Sequence, residues 1–149
     1  MPSSDELAQA FFATSHALRR LADRLLAAEG LSLARMKLLR TLLKERELRL
    51  GDLSARLGIA ARTASTTVEG LVRDGYVHRQ PDPSDARATA ISLTAKGRSV
   101  LARVRRKRRA SVESLFATLD AQARVNLYAV LELLSQAALQ SDVNEKADK

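Results

Sequence analysis

The stretch 50–94 constrains the fold of this chain more than any other part of the sequence. It begins with two short helical patterns separated by Gly58, and a glycine in the turn between two short helices is typical of a helix-turn-helix. The second pattern covers about 60–74, and its apolar residues fall on one face: Ala64, Val68, Leu71 and Val72. We therefore predict a helix-turn-helix whose second helix has one buried face and one free face.

Two extended runs follow the second helical pattern. Residues 76–80 and 88–93 are both predicted strands, and in the second run Thr89, Ile91 and Leu93 alternate with smaller residues, which is the period of a strand. The segment 81–87 between them contains two prolines, so we predict a stiff, projecting loop of seven residues. The short run 48–50 is a candidate third strand. These patterns together predict a β-hairpin wing after the helix-turn-helix.

The free face of the second helix carries an arginine and several hydroxyl groups. Arginine can bond guanine O6 and N7, and Ser or Thr can bond bases or phosphate oxygens. Hydroxyl residues at a helix start also occur for purely structural reasons. Since a hairpin follows, we favour contact with DNA. The predicted DNA-binding residues of this helix are Arg62, Thr63, Ser65 and Thr66.

The wing carries its own arginine near the end of the loop. Arg87 on a stiff projection suits the narrow minor groove, where the negative potential is enhanced. Asp85 lies two residues earlier and could orient that guanidinium through a charge-assisted hydrogen bond. The alternative is an ordinary surface ion pair that contributes little.

The regions on either side of the winged helix-turn-helix, which we place at 31–97, have apolar seams typical of packed helices. We predict that 1–30 and 98–140 form dimerisation helices and that 141–149 is a flexible tail. The fold class is then mainly α with a small β-wing, within one domain of 149 residues. The predicted N-caps of four of the helices are Ser3, Ser32, Thr94 and Asp120.

Composition excludes several classes of function. The chain has no cysteine, which removes disulfides, thiolate metal sites and cysteine nucleophiles. His16 and His78 are far apart and stand in no metal-ligand spacing, and no glycine-rich phosphate loop is present, so we expect no enzyme, metal or cofactor. No apolar run reaches the length of a membrane span, and the N-terminus does not resemble a secretory signal. We therefore expect a cytoplasmic protein.

The net charge of +8 favours a polyanionic partner. Residues 98–149 hold ten Lys or Arg and six Asp or Glu, which accounts for +4 of the total. The densest cluster is 103–109, and we favour a solvated stretch whose stems cover apolar surface. A sharper hypothesis is that Arg105, Arg108 or Arg109 binds an acidic effector or carboxylates of a partner subunit. Additional contacts to DNA phosphates are a third option.

The wing and the end of the second helix resemble the MarR family of bacterial winged-helix regulators. The resemblance rests on Asp85-x-Arg87 followed by Leu93-Thr94, and on the run 71–77, Leu-Val-Arg-Asp-Gly-Tyr-Val. It implies a homodimer whose first, fifth and sixth helices interlock, with the fourth helix in the major groove. It also implies that small, often anionic or aromatic, ligands modulate DNA binding.

We therefore predict a dimeric, sequence-specific transcriptional regulator, most often a repressor in this family, that binds a pseudo-palindromic operator in double-stranded DNA. Two other readings stay open. A winged-helix module could bind a protein instead, with little salt-dependent binding to random duplex. A non-specific architectural DNA binder needs only the basic excess and no shaped wing.

Overall fold

The computed structural model describes the backbone of residues 1–147 and the side chains of residues 1–85 and 87–140. Backbone contacts divide the chain into two compact units, Met1–Arg108 and Arg109–Lys149. In chain order the elements are α1 (Ser4–Ala27), α2 (Leu33–Glu45), β1 (Glu47–Arg49), α3 (Leu50–Leu57), α4 (Ala61–Arg73), β2 (Val77–Asp82), β3 (Asp85–Leu93), α5 (Ala95–Phe116) and α6 (Ala121–Ala147). This is a mainly α fold with a small β-wing, as predicted.

Side-chain caps start the helices where the sequence predicts them. Ser3 and Glu6 form a reciprocal capping box at α1, and Ser32 accepts a hydrogen bond from the third residue of α2. Asp120 accepts from the backbone N–H of Ala123 at 2.7 Å, and Thr94 from that of Gly97 at 2.9 Å. These oxygens satisfy N–H groups that have no partner inside their own helices.

The core of the first unit lies where α2, α3 and α4 pack against the sheet and the start of α5. Its fully buried large side chains are Leu38, Leu39, Leu42, Leu53, Leu71, Ile91, Val68 and Val100. Ala64, Val68 and Leu71 form the buried face of α4, as predicted, but Val72 is 39% exposed. Val72 lies at the edge of the apolar stripe, which is less fully covered than the centre of the stripe.

The sheet is antiparallel with strand order β1-β3-β2. Leu48 pairs with Ile91, so the predicted third strand is confirmed. β2 is an edge strand, and its Pro81 lies opposite Thr89 of β3. A proline is tolerated on an edge strand because the N–H that it lacks is not needed on the side that faces away from the sheet.

The wing differs from the predicted seven-residue loop. β2 continues to Asp82 and β3 starts at Asp85, so only Pro83 and Ser84 lie between the strands. The side chain of Asp82 forms this tight turn by accepting hydrogen bonds from the backbone N–H groups of Ser84, at 2.8 Å, and Asp85, at 3.2 Å. An aspartate that bonds the backbone two residues ahead is a common turn former. The prediction failed because it counted prolines as loop residues and did not recognise this turn.

The guanidinium of Arg35, at the start of α2, holds the C-terminal end of α4. It pairs with Asp74 and donates to the carbonyl oxygens of Gly30, at 3.0 Å, and Gly70, at 3.3 Å. Its Cζ also lies 6.0 Å from the centre of the Tyr76 ring. We call these contacts the Arg35 joint. The pairing with Arg35 lowers the pKa of Asp74 below its ordinary value.

The start of α5 is held against the same end of α4. Thr94 donates from its hydroxyl to the carbonyl of Gly75 at 2.7 Å, and Lys96 donates to the carbonyl of Asp74 at 2.7 Å. Gly97 is buried, and a Cβ atom at this position would lie 2.1 Å from the carbonyl oxygen of Tyr76. Only glycine permits this close approach.

Helix α6 reaches Ala147, so its backbone extends into the stretch 141–149 for which the sequence predicts a flexible tail. Residues 148–149 of that predicted tail lie outside the described residues. None of the described helices combines the length and the apolar character that crossing a membrane requires.

Candidate nucleic-acid interface

The face of α4 that points away from the core carries a line of four side chains. Arg62, Thr66, Glu69 and Arg73 follow one another at four- and three-residue steps and are all exposed. The buried residues Ala64, Val68 and Leu71 lie on the opposite face. We call the line 62, 66, 69 and 73 the outer line of α4. It is the free face that the sequence pattern predicts.

Three hydroxyl groups on α4 donate their hydrogens within the helix. Thr66 donates to the carbonyl oxygen of Arg62 at 3.0 Å, and Thr67 donates to that of Thr63 at 2.8 Å. Ser65 donates to a carboxylate oxygen of Glu69 at 3.1 Å. These groups therefore offer lone pairs, and the threonines also offer methyl groups, to anything that approaches the outer line.

The structure brings the four predicted residues of this helix together within its first two turns. Arg62, Thr63 and Thr66 are exposed, whereas Ser65 is half-buried. Helical periodicity also places Glu69 on the outer line, but its negative charge does not single it out as a DNA-binding residue. Its hydrogen bond to Ser65 is the additional signal, and that bond is visible only in the structure.

Arg87 lies on β3 beside the wing turn and is exposed. The prediction that Asp85 orients its guanidinium is wrong. Asp85 instead accepts a hydrogen bond from the backbone N–H of Arg87 at 3.0 Å, and no ion pair joins the two side chains within the described part of the chain. A carboxylate two residues before an N–H reaches that N–H more easily than the end of a long side chain.

A different arginine fixes the wing turn. Arg49, on β1, donates to Asp82 at 2.7 Å and to the hydroxyl of Ser84 at 3.0 Å. Asp82 is the more enclosed partner, with 11% of its side chain exposed against 45% for Arg49. The hydrogen bond from Arg49 and those from Ser84 hold the pKa of the Asp82 carboxyl well below its usual range. We call Arg49, Asp82 and Ser84 the wing clasp. The sequence pattern does not predict it, because Arg49 lies more than thirty residues before Asp82 and Ser84.

Part of the basic run 103–109 is paired with acids of its own chain. Arg103 and Lys107 donate to the two carboxylate oxygens of Glu29, at 2.7 Å and 2.6 Å. The hydrogen bonds from Lys107 and Arg103 lower the pKa of Glu29. In the second unit, Arg109 pairs with Glu113 at 2.7 Å.

Arg105 and Arg108, the other two residues predicted for an effector or intersubunit contact, are exposed. Neither has an ion-pair partner among the described residues. Within the same residues, no group of three or more His, Asp or Glu side chains is placed to hold a metal ion. His16 and His78 are both exposed.

The fold and the exposed α4 face define a winged helix-turn-helix protein. The family model described as "MarR family" matches residues 31–89, which contain α2 to α4 and most of the wing. Over this region the chain is similar to the MarR family.

Individual curated proteins show a similarity of the same kind. The chain is 31% identical over 98 residues to the HTH-type transcriptional repressor YetL of Bacillus subtilis, covering 64% of this chain and 59% of YetL. It therefore spans less than two thirds of that relative's length. It is 32% identical over 95 residues to the HTH-type transcriptional regulator TtmR of Methylorubrum extorquens, covering 64% of this chain and 49% of TtmR.

Among solved structures, a MepR mutant from Staphylococcus aureus bound to an oligodeoxyribonucleotide is similar to this chain with a TM-score of 0.79. The two are 20% identical, and the match covers 89% of this chain and 97% of MepR. At this level of identity the likeness concerns the fold alone.

Proposed function

We propose that this protein is a dimeric, sequence-specific DNA-binding regulator of transcription in the cytoplasm. The observation that carries the proposal is the outer line of α4, which presents Arg62 and Thr66 on a helix whose opposite face is packed into the core. The exposed Arg87 supplies a second cationic point on the wing. A recognition helix and an arginine-bearing wing would contact the major and minor grooves respectively.

Exposed apolar side chains support the dimer. α1 exposes Leu7, Phe11, Phe12 and Leu18, and α6 exposes Val125, Tyr128, Val130, Leu131, Leu133, Leu134 and Leu139. So many exposed apolar side chains on one helix point to an interaction surface. A second copy of the chain is the proposed partner of both surfaces. Two copies would read two half-sites of a pseudo-palindrome.

Repression and modulation by a small anionic or aromatic ligand complete the proposal. The name of the relative YetL, a transcriptional repressor, supports repression as the outcome. The exposed guanidinium groups of Arg105 and Arg108 support an anionic effector, because neither has an acid partner among the described residues.

Selection of binding sites from random double-stranded DNA tests the proposal. The expected product is a pseudo-palindrome whose half-site centres lie about one helical turn apart. Salt-dependent binding without any enrichment would instead indicate a non-specific architectural binder, and the absence of binding to duplex would favour a protein-interaction module.

Two arginine variants then distinguish a contact that depends on the DNA sequence from one that does not. Arg62→Ala should weaken binding to the selected site by about 1–3 kcal/mol and relax the preference at one base pair. Arg87→Ala should weaken binding by a similar amount at every sequence tested, because minor-groove contacts distinguish bases poorly. Titration of each variant with the selected site and with single-substitution sites measures both effects. If neither variant changes affinity, the assignment of these residues to DNA contact is wrong.

A further inference from the structure

The outer line of α4 offers hydrogen-bond donors and acceptors at different positions. Arg62 and Arg73 can only donate, whereas Thr66 has committed its hydroxyl hydrogen to the carbonyl of Arg62. Glu69 is the single acidic residue of Ala61–Arg73. A ligand that faces this helix therefore meets donors at the arginines and a strong acceptor at Glu69.

The hydrogen bond from Ser65 fixes the position of the Glu69 carboxylate along the axis of α4. One carboxylate oxygen accepts from the Ser65 hydroxyl at 3.1 Å, one turn nearer the N-terminus. The other oxygen has no partner among the described residues. Side chains on a helix lean toward its N-terminus, and this bond keeps Glu69 in that direction. The carboxylate is thus held beside the second turn, close to the part of a recognition helix that contacts base edges.

We infer that Glu69 is a specificity-determining residue that accepts a hydrogen bond from the N4 amino group of a cytosine in each half-site. This inference rests on the proposed function. Cytosine presents its amino donor in the major groove, whereas adenine places the N7 acceptor next to its amino group, and N7 repels a carboxylate. Guanine presents only acceptors, and thymine presents an acceptor and a methyl group. Cytosine is therefore the base that a carboxylate selects.

The charge of Glu69 also acts against binding to other sequences. A carboxylate that enters the groove is repelled by the phosphates of any duplex and loses water there. On the selected site the amino group of cytosine compensates for this cost, but on random DNA nothing does. Glu69 therefore raises the ratio of specific to non-specific binding, which is the quantity that governs site selection.

Selection from random duplex with the wild type, Glu69→Gln and Glu69→Ala tests the inference. Glutamine has nearly the same shape and a similar helix propensity, and it bonds adenine N6 and N7 in a bidentate manner. The wild type should enrich cytosine at one symmetry-related position by at least about fivefold. Glu69→Gln should enrich adenine at that position, and Glu69→Ala should show no preference there.

Glu113→Gln is the matched control, because it removes the same charge from an exposed glutamate of the second unit. Its selected site should equal that of the wild type, and its affinity for random duplex should rise less than that of Glu69→Gln. A change of base preference from cytosine to adenine cannot come from a general loss of structure or from net charge.

The outcomes separate this inference from the proposed function. If the wild type and both Glu69 variants select the same site with the same preferences, the role of Glu69 is excluded while sequence-specific binding stands. If the wild type enriches no sequence, the proposed function fails and the role of Glu69 fails with it.

Discussion

Asp82 is the residue that shapes the wing. One of its carboxylate oxygens accepts from Ser84 and Asp85, and the other accepts from Arg49 on the first strand. Asp82 thus stabilises the wing turn and also connects it to β1, the strand at the opposite edge of the sheet. Because these bonds need the charged carboxylate, they lower its pKa and make the fold around the wing sensitive to acid.

The sign of this pH dependence follows from the direction of the shift. A carboxyl whose pKa is depressed in the folded state stabilises the fold above its unfolded pKa, near pH 4, and loses that contribution as the pH falls through the folded value. Asp82→Asn should therefore lower the melting temperature at pH 7, and the difference from the wild type should shrink below about pH 4. Thermal unfolding between pH 2 and pH 7 measures this.

Asp23→Asn serves as the comparison for Asp82→Asn, because Asp23 is exposed on α1 and has no ion pair among the described residues. It should unfold like the wild type at every pH. A stability difference for Asp82→Asn that stays constant with pH would mean that the wing clasp does not depend on the charge of Asp82.

The wing also shows which residue-level features a sequence can predict. The pattern places Arg87 in the wing and Arg62 on the free face of a helix, because strand and helix periodicity alone decide which side chains point outward. It does not reveal which of two aspartates, Asp82 or Asp85, organises the turn. That choice depends on the distance to Arg49, thirty-three residues away along the chain.

At the scale of the elements, the start of α5 packs very closely against the turn that follows α4, and a glycine makes this contact possible. The carbonyl of Tyr76 occupies the space that a side chain on Gly97 would need. The sequence places Gly97 in a helix start next to the wing signature but cannot show this approach, because the two segments are separated by the whole wing.

Gly97→Ala should destabilise the protein by about 1–3 kcal/mol or more, because backbone must move to accept the new methyl group. Gly70→Ala, in the last turn of α4, is the matched variant. No atom lies within 4 Å of a Cβ built at Gly70, so alanine there should stabilise the helix by about 0.5–1 kcal/mol. Urea unfolding at one fixed protomer concentration measures both changes. Equal effects of the two substitutions would contradict the close approach at Gly97.

Burial along the helices follows the sequence period only where another element covers the helix. In α5, Leu101 and Val104 are buried as the pattern indicates, whereas Leu115 and Phe116 are 46% and 42% exposed. Apolar periodicity identifies the helix face that is favourable to bury, but it does not say whether the same chain or another chain buries it.

At the scale of the whole molecule, the exposed apolar side chains of α6 give the proposed dimer a direct test. A charged residue in the centre of this surface should prevent association, since an unpaired buried carboxylate is costly. Leu134→Glu should shift the protein to a monomer in sedimentation-velocity measurements and reduce its affinity for a two-half-site duplex at least about tenfold. Gln122→Glu adds the same charge at the start of α6, before the first of these exposed apolar residues, and should leave the mass unchanged. A monomeric wild type would exclude the dimer.

The Arg35 joint fixes the C-terminal end of α4 and is the natural pivot for a rotation of this helix. Twelve residues separate Asp74 from Arg62, so the Cα atom of Arg62 lies about 18 Å from the pivot. A tilt of about 5° around the pivot moves it by about 1.5 Å, whereas hydrogen bonds tolerate only a few tenths of an ångström. The side chains on the outer line nearest the N-terminal end therefore travel farthest for a given rotation. On the proposed function, a rotation of this size about the Arg35 joint, with repacking of the buried Ala64 and Val68, would take Arg62 out of register with its base.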